Sequence, residues 1–442
     1  MTGKARSESH VAGAGLPSAA PGIDDTLRSK GIDPDRLSVL QLGLHYNLVF
    51  IPPWLRRLLL GVALVLVQLL INRFLFEIPR YYQGAVELAT GLLILQAACE
   101  ALVSATERLA ARFKWNHYVA GTLAEILATT PELVVIAFVI PISPLAALII
   151  SIITIYNNAL VFSLYSFFLP KDKQGKFLMP APITEAGTQV LIAGAAMGLV
   201  LGLVMMTFNA SEGAKNTFEP LDLVFISVVL LIIFGVYIYR LITGYAEEEA
   251  EVRENLSMSA EDISQRIDLV YQNVKPSSFP AIAGLFLIGM AGALLGGGQV
   301  SSFAETMIAD LAINPVLTAM LLAIFAGMSE YVILWQSHHK GEFGIALANA
   351  FGGITQVMFL VLPFTLLGIA FYQVVVNPAH AELPLTFSLS TVFLFLFLFP
   401  TFYTLSSLLE EDHTLGILDT TIMTLIFLFL IVLLVTYGAV VL

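Results

Sequence analysis

The sequence predicts an all-α membrane protein with eleven transmembrane helices, in which one N-terminal helix precedes two inverted five-helix repeats. The first observation is the composition, because 57% of the 442 residues are hydrophobic, 12% are charged and the mean hydropathy is +0.85. Soluble domains are typically about 45–50% apolar and about 25% charged. The second is a series of apolar stretches of bilayer-spanning length. The third is an internal repeat, since residues 302–356 align without a gap with residues 104–158.

The chain divides into five predicted parts. The first 20 residues are small and polar and contain no apolar core of a signal peptide, so we expect a partly disordered cytoplasmic tail that ends in an interfacial segment. The parts are the tail at 1–56, an extra transmembrane helix at 57–78, the first repeat at 82–244, an acidic cytoplasmic linker helix at 245–278 and the second repeat at 279–442.

Each span is predicted from roughly 20 mostly apolar residues, the length at which a helix crosses the hydrocarbon core. Spans 1 to 11 are predicted at about 57–77, 83–112, 117–140, 143–169, 186–208, 220–244, 279–310, 315–337, 342–371, 384–408 and 416–441.

The orientation follows from the basic residues. With the N-terminus on one side, all but three of the 21 Lys and Arg residues lie on that side, the exceptions being Arg73, Arg80 and Lys215. The positive-inside rule places this side in the cytoplasm, so the C-terminus is predicted to be extracytoplasmic. The sequence predicts a multi-pass protein of a plasma or inner membrane or of an organelle membrane.

The repeat predicts an inverted topology. Each copy holds five spans, an odd number, so the second copy enters the membrane from the opposite side. Such folds have a pseudo-two-fold axis in the membrane plane and bind substrate near the midplane, between the two copies.

Several classes of protein are excluded. The net charge of −12 does not suggest nucleic-acid binding, and the single Cys99 excludes a disulfide framework. The sequence contains no phosphate-binding glycine loop, HExxH, CxxC or GxSxG motif. We therefore predict that the protein is not an enzyme and needs no cofactor.

Two glutamates carry the predicted chemistry. Glu132 and Glu330 occupy equivalent positions near the middle of spans 3 and 8. An ionised carboxylate at the bilayer centre costs about 3 kcal/mol or more. Two facing carboxylates must therefore be neutralised by a divalent cation, by smaller cations or by protons. This alternation predicts a cation antiporter, with hydrogen-bonded glutamates that only join helices as the alternative.

Polar groups flank each glutamate. Pro131 removes a backbone donor and is predicted to kink span 3, where Thr129 and Thr130 add hydroxyl groups. In the second copy Gly327 and Ser329 make the same region polar and flexible. Hard cations such as Ca²⁺ bind carboxylate and carbonyl oxygens, so these positions are candidate ligands.

Amides on the following spans are further candidate ligands. Asn157 and Asn158 lie in span 4, while Asn349 and Gln356 lie in span 9, where Gly352-Gly353 allows close helix approach. Asn158 and Gln356 are equivalent in the repeat. The alternative is hydrogen bonding between helices without a ligand.

Three other glutamates are candidates for the ion pathway or its gates. Glu107 and Glu305 match across the repeat and lie toward the ends of spans 2 and 7. Glu125 lies one heptad before Glu132, on about the same helix face, and has no counterpart because Ala323 stands at its repeat position.

These repeat cores resemble the cation/Ca²⁺ exchanger superfamily, whose two inverted repeats each carry a glutamate on one helix and polar residues on the next. The run ALANAFGGITQ, with Gln356 and a following LPF, is similar to the calcium/proton exchanger branch. The resemblance implies that Glu132 and Glu330 bind Ca²⁺, with Asn158 and Gln356 at the amide positions. The Thr-Pro-Glu at 130–132 looks more like the sodium/calcium branch.

The resulting prediction is an antiporter that exchanges Ca²⁺, or a related divalent cation, for H⁺ by alternating access. When Ca²⁺ leaves, each carboxylate takes a proton because burial disfavours an uncompensated charge. Na⁺/Ca²⁺ exchange is the alternative within this class. A non-transporting membrane Ca²⁺ sensor or scaffold that uses the acidic segment at 246–268 is the alternative from another class.

Overall fold

The computed structural model describes most of the predicted membrane region. The described residues are 52–75, 78–113, 126–179, 183–210, 218–255, 278–311, 313, 315–327, 330–331, 334–335, 338, 343–376, 389–410 and 413–438. Residues 1–51 of the predicted N-terminal tail and most of the acidic linker lie outside them.

The described chain is almost entirely helical. Its α-helices are α1 (Pro53–Phe74), α2 (Arg80–Phe113), α3 (Thr130–Val139), α4 (Pro144–Tyr165), α5 (Thr188–Ala210), α6 (Pro220–Asn255), α7 (Phe279–Glu305), α8 (Pro315–Ala326), α9 (Phe343–Gln356), α10 (Leu362–Phe371), α11 (Leu389–Leu396), α12 (Leu398–Glu410) and α13 (Ile417–Gly438). Short π-helical turns precede α5, follow α7 and lie between and after α9 and α10, at Ile183–Gly187, Thr306–Asp310, Val357–Val361 and Tyr372–Val376.

Eight helices within the described residues are long and apolar enough to cross a membrane, and they coincide with predicted spans 1, 2, 4, 5, 6, 7, 9 and 10. Two shorter apolar helices, Ile126–Val139 and Ile417–Leu433, coincide with parts of spans 3 and 11. Parts of spans 3 and 8 lie outside the described residues, so the count of eleven stays a prediction. The helix of span 6 continues to Asn255, past its predicted end at about residue 244.

Two helices are interrupted at equivalent positions. Thr129 is a turn between helical residues 126–128 and α3, and Gly327 is a turn between α8 and the helical residues 330–331. The backbone N–H of Glu132 donates to the carbonyl of Thr129 over 3.1 Å, and that of Glu330 donates to the carbonyl of Gly327 over 3.1 Å. The kink predicted at Pro131 is therefore a break two residues earlier, at Thr129, with Pro131 in the first turn of α3. Proline is favoured there because the first turn does not need its missing N–H.

Helices α2 and α7 cross in close contact. A Cβ built on Gly91 would lie 3.0 Å from the carbonyl oxygen of Gly296, and one built on Gly289 would lie 3.1 Å from that of Ala98. At the offset of the repeat, Gly289 is the counterpart of Gly91, and Gly296 is the counterpart of Ala98. Small residues let the two backbones approach in this way.

Helix α1 packs along α2 through the buried Trp54, Leu58 and Val65. Its other face carries exposed leucines, among them Leu59, Leu66 and Leu69, as expected for a helix in contact with lipid. The two-residue strands β1 (Phe177–Leu178) and β2 (Thr414–Leu415) pair antiparallel and join the segment before α5 to the start of α13.

Candidate functional site

Both predicted glutamates are buried in the apolar interior. Glu132 is 2% exposed and Glu330 is 6% exposed. A cation site requires carboxylates that point into the protein, and both of these side chains do so. The helix α3 that carries Glu132 packs against α4, α7 and α8, so this carboxylate lies where elements of both halves meet.

The helix breaks explain how the carboxylates are held. Because α3 begins at Thr130, Glu132 lies in its first turn. The positive end of the helix dipole stabilises an anion at that position. The hydroxyl of Thr129 donates to the carbonyl of Ile126 over 2.7 Å, so it supports the break while its oxygen keeps acceptor capacity.

Gly353 brings Glu330 and Asn158 together. A Cβ built on Gly353 would lie 2.5 Å from Oε2 of Glu330 and 2.8 Å from Nδ2 of Asn158. The two side chains therefore meet over the bare backbone of α9, and any larger residue at 353 would enter the space between them. The predicted ligands Glu330 and Asn158 are neighbours in the folded protein, although they come from different halves of the chain.

Tyr331 lies beside the same group of residues. Its hydroxyl accepts a hydrogen bond from Nδ2 of Asn157. A Cβ built on Gly327 would lie 2.8 Å from that hydroxyl and 3.5 Å from Oδ1 of Asn158. The phenol also lies within electrostatic range of both Glu330 and Glu132. Tyr331 thus connects the surroundings of the two carboxylates.

The amides of α9 differ in role. Nδ2 of Asn349 donates to the backbone carbonyl of Glu330 over 3.1 Å, which fixes the helix that carries the carboxylate. Gln356 is 2% exposed, and its Oε1 has no hydrogen-bond partner among the described residues. Asn349 therefore positions Glu330, while the oxygen of Gln356 is open.

Several buried polar atoms lack partners within the part of the chain that the structure describes. They include both carboxyl oxygens of Glu132 and both amide atoms of Asn158. An unpaired buried polar atom typically costs about 1–3 kcal/mol, and a charged group costs more. Native proteins accept that cost mainly where a ligand, ion or water completes the bonding. The open oxygens of Glu132, Asn158 and Gln356 are of the kind that Ca²⁺ prefers.

The remaining candidate residues are only partly described by the structure. Thr130 is half-buried at the start of α3, and Glu305 is exposed at the end of α7. Glu107 lies in α2, but its side chain is outside the described part, and Ser329 and Glu125 lie outside the described residues. Among the residues that are described, no three His, Cys, Asp or Glu side chains form a metal-binding group. A cation would thus rely on carboxylates combined with neutral oxygens.

Sequence reasoning missed Tyr331 as a member of this group. Its repeat counterpart is Leu133, an apolar residue, so the repeat gives no sign of a polar function. The available signal is the hydroxyl itself, one residue after an intramembrane carboxylate. Sequence reasoning also missed the partner of Glu100, whose carboxylate forms a bidentate ion pair with Arg57 of α1 over 2.7 and 3.0 Å.

Comparison with known families and structures adds independent findings. Residues 281–437 match the family model described as sodium/calcium exchanger protein. No match was found among curated protein sequences.

Solved structures of exchangers share the fold of the chain. The H⁺/Ca²⁺ exchanger CAX is 16% identical with a TM-score of 0.59, covering 86% of this chain and 88% of its own. The Ca²⁺/H⁺ antiporter YfkE is 13% identical with a TM-score of 0.56, covering 86% of this chain and 98% of its own. The second half of the chain therefore matches a sodium/calcium exchanger domain, and the chain shares its fold with solved Ca²⁺ exchangers.

Proposed function

We propose that this protein is a secondary active antiporter that exchanges Ca²⁺ for H⁺ at a site formed around Glu132 and Glu330. The observation that carries the proposal is the pair of buried carboxylates, one from each half, with the open amide of Asn158 beside Glu330. Burial makes an empty, fully charged pair unfavourable, so the site must hold either a divalent cation or protons. Coupled exchange follows from that alternation.

Each ligand has a distinct part in the proposed site. Glu132 and Glu330 supply the charge, and the amide oxygens of Asn158 and Gln356 complete the shell. Oxygens of Thr129 and Thr130 are proposed as further ligands, as is that of Ser329, which lies outside the described residues. Asn157 donates a hydrogen bond to the Tyr331 hydroxyl, and Asn349 donates one to the backbone carbonyl of Glu330, so these two amides hold their partners in place. Ca²⁺ is the cargo in this proposal, and no resident cofactor is needed.

The proposal includes alternating access between two inverted five-helix repeats after one extra helix, eleven spans in all. It is supported by the matching breaks at Thr129 and Gly327 and by the exchanged contacts at the α2–α7 crossing, which a pseudo-two-fold axis would produce. Inverted-repeat transporters commonly use discontinuous helices at the substrate site. In the proposed orientation the N-terminus is cytoplasmic, the C-terminus is extracytoplasmic, and Glu107, Glu125 and Glu305 belong to the ion pathways.

Exchange of Na⁺ for Ca²⁺ is the second candidate. The family model that matches residues 281–437 is named for sodium/calcium exchange, while the structures of CAX and YfkE are named for H⁺ exchange. We favour H⁺ because protons need only the two carboxylates, whereas several Na⁺ ions need additional oxygens. A Ca²⁺ sensor or scaffold would not need two buried glutamates at equivalent positions.

Transport in everted vesicles tests the proposal. With an imposed pH gradient we expect Ca²⁺ uptake by the wild type, and with an imposed Na⁺ gradient alone we expect none. Glu132→Gln and Glu330→Gln should each abolish uptake, while Glu410→Gln, which changes an exposed glutamate at the end of α12, should leave it intact. Near-normal uptake by either buried-site variant would contradict the proposal, and uptake driven only by Na⁺ would favour the second candidate.

A further inference from the structure

A third buried carboxyl group, in addition to Glu132 and Glu330, lies where α1 meets α2. Glu87 of α2 is 5% exposed, and Gln68 of α1 is 7% exposed. The Nε2 atoms of Gln83 and Gln68 both donate to Oε1 of Glu87, over 2.8 and 3.4 Å. Among the described residues, Oε2 of Glu87 and Oε1 of Gln68 have no hydrogen-bond partner. The carboxyl group is fixed through one oxygen, and its other oxygen is open.

No basic side chain in the described part of the chain fully neutralises the charge of an ionised Glu87. The charged groups that act on it there are Arg80 of the same helix and Glu305 of α7, and α1 contributes the neutral amide of Gln68. Nε of Arg80 lies 3.8 Å from Oδ2 of Asp310, so its charge is shared. An ionised Glu87 would therefore leave excess negative charge inside the membrane, which is strongly unfavourable.

The number of open oxygens identifies the ligand class. Ca²⁺ takes about 6–8 oxygen ligands, and only two open oxygens belong to this pair of side chains. A proton needs one carboxyl oxygen to bind and one acceptor for its hydrogen bond. A half-turn of the Gln68 amide would exchange Oε1 with Nε2 and bring an acceptor to the carboxyl group. A proton therefore fits the site better than a metal ion.

We propose that Glu87 is a proton-binding site of this protein, separate from Glu132 and Glu330, and that it exchanges its proton with the side of the membrane on which α1 ends and α2 begins. Arg80, Glu305 and Asp310 are exposed at that end, and Arg80 and Glu305 lie within electrostatic range of Glu87. The proton neutralises the carboxyl group and lets α1 stay packed on α2 there.

The site does not depend on which ions the central site exchanges. It lies on a helix pair that includes α1, which stands outside the repeat, and its residues have no contact with Glu132 or Glu330 among the described interactions. A background in which both central glutamates are replaced by glutamine therefore leaves it intact. That background also separates its test from the test of transport.

Infrared difference spectroscopy of the full-length protein in lipid vesicles tests the proposal. In the Glu132→Gln/Glu330→Gln background we expect a protonated-carboxyl C=O band at neutral pH that disappears when Glu87→Gln is added. Adding Glu410→Gln instead should leave the band, because that glutamate is exposed. The proposal is overturned if the band survives Glu87→Gln, or if Glu87→Gln instead removes bound ⁴⁵Ca²⁺ or ²²Na⁺ from the purified protein.

A second variant covers the case in which Glu87→Gln does not fold. Gln68→Leu leaves the carboxyl group but removes the amide of α1, so the Glu87 band should remain and move to higher frequency as it loses a hydrogen-bond partner. An unmoved band would show that the protonated carboxyl lies elsewhere, which would also overturn the proposal. In vesicles that contain the protein in one orientation, a change of pH on the side where Arg80 lies should alter the Glu87 band. The same change of pH on the other side should leave the band unaltered.

Discussion

Gly353 lies directly against the carboxyl group of Glu330, with 2.5 Å between a Cβ built on the glycine and Oε2 of the glutamate. A real Cβ essentially never comes so close to an oxygen, so Gly353→Ala must displace Glu330 or Asn158. Small misplacements of binding groups can lower rates by about 100-fold. We expect Ca²⁺ transport by Gly353→Ala to fall by roughly 10- to 100-fold, measured as initial uptake into vesicles.

A matched control separates this effect from a general intolerance of alanine in the helices. Gly284 of α7 has no atom within 4 Å of a built Cβ. Gly284→Ala should therefore fold and transport like the wild type. Equal transport by the two alanine variants would mean that the contact between Gly353 and Glu330 has no part in the site.

Asn158 should affect Ca²⁺ affinity more than protein stability. Its two amide atoms are buried without a partner among the described residues, so Asn158→Ala removes a cost as well as a ligand. A hydrogen-bonding or ligand contact to a charged group is worth about 1.5–3 kcal/mol. We expect the Ca²⁺ concentration for half-maximal uptake to rise by about 10-fold or more, with little change in thermal stability.

Ser163 provides the comparison on the same helix. It is also buried in α4, but its hydroxyl donates to the carbonyl of Leu160 over 2.8 Å, so it already has a partner. Ser163→Ala should leave the half-maximal Ca²⁺ concentration unchanged. If Asn158→Ala behaves in the same way, the amide only joins helices, and the ligand shell proposed for Ca²⁺ loses a member.

The membrane class, a fold shared with Ca²⁺ exchangers and the main helices could be predicted from the sequence, because apolar length and the repeat offset can be read along the chain itself. The repeat also singled out Glu132 with Glu330 and Asn158 with Gln356, since each pair lies at one offset. It could not identify Tyr331, because its counterpart is the apolar Leu133.

The contacts of α1 were not predictable for a related reason. In the sequence Glu87 and Glu100 are single charges in an apolar span, and their partners Gln68 and Arg57 lie in a helix that has no counterpart in the repeat. Such pairs depend on how two helices pack side by side, and sequence spacing does not encode that. The exact break at Thr129 was similarly displaced from the predicted kink at Pro131 because proline favours the first turn of a helix.

Tyr331 should tune transport through its hydroxyl group. Tyr331→Phe keeps the ring but leaves Nδ2 of Asn157 without its acceptor. The loss of a neutral hydrogen bond is worth about 0.5–1.5 kcal/mol, so we expect a several-fold change in the half-maximal Ca²⁺ concentration or in the maximal rate. Initial uptake rates measured over a series of Ca²⁺ concentrations would give both parameters and show whether the hydroxyl affects binding or a later step.

Tyr165 is the natural control for that measurement. Its hydroxyl is buried in α4 and has no hydrogen-bond partner among the described residues. Tyr165→Phe should therefore leave transport unchanged and stabilise the protein slightly, because it removes an unpaired polar atom. A larger transport defect in Tyr165→Phe than in Tyr331→Phe would contradict the assignment of Tyr331 to the site.

Arg57 and Glu100 should contribute to the attachment of α1 rather than to transport. Their ion pair is bidentate, and the two side chains are 29% and 31% exposed. Exposed pairs contribute about 0–1 kcal/mol, and breaking a fully buried pair costs about 3–5 kcal/mol. For this half-buried pair we expect Glu100→Gln or Arg57→Met alone to lower the free energy of unfolding by about 1–2 kcal/mol. The double variant should lose less unfolding free energy than the sum of the losses in the two single variants, and a thermal-stability series on the purified protein would measure this coupling.

Two outcomes would contradict the prediction for Arg57 and Glu100. Exact additivity would show that the pair contributes no interaction energy, and a transport defect without any loss of stability would place Glu100 in the ion pathway instead.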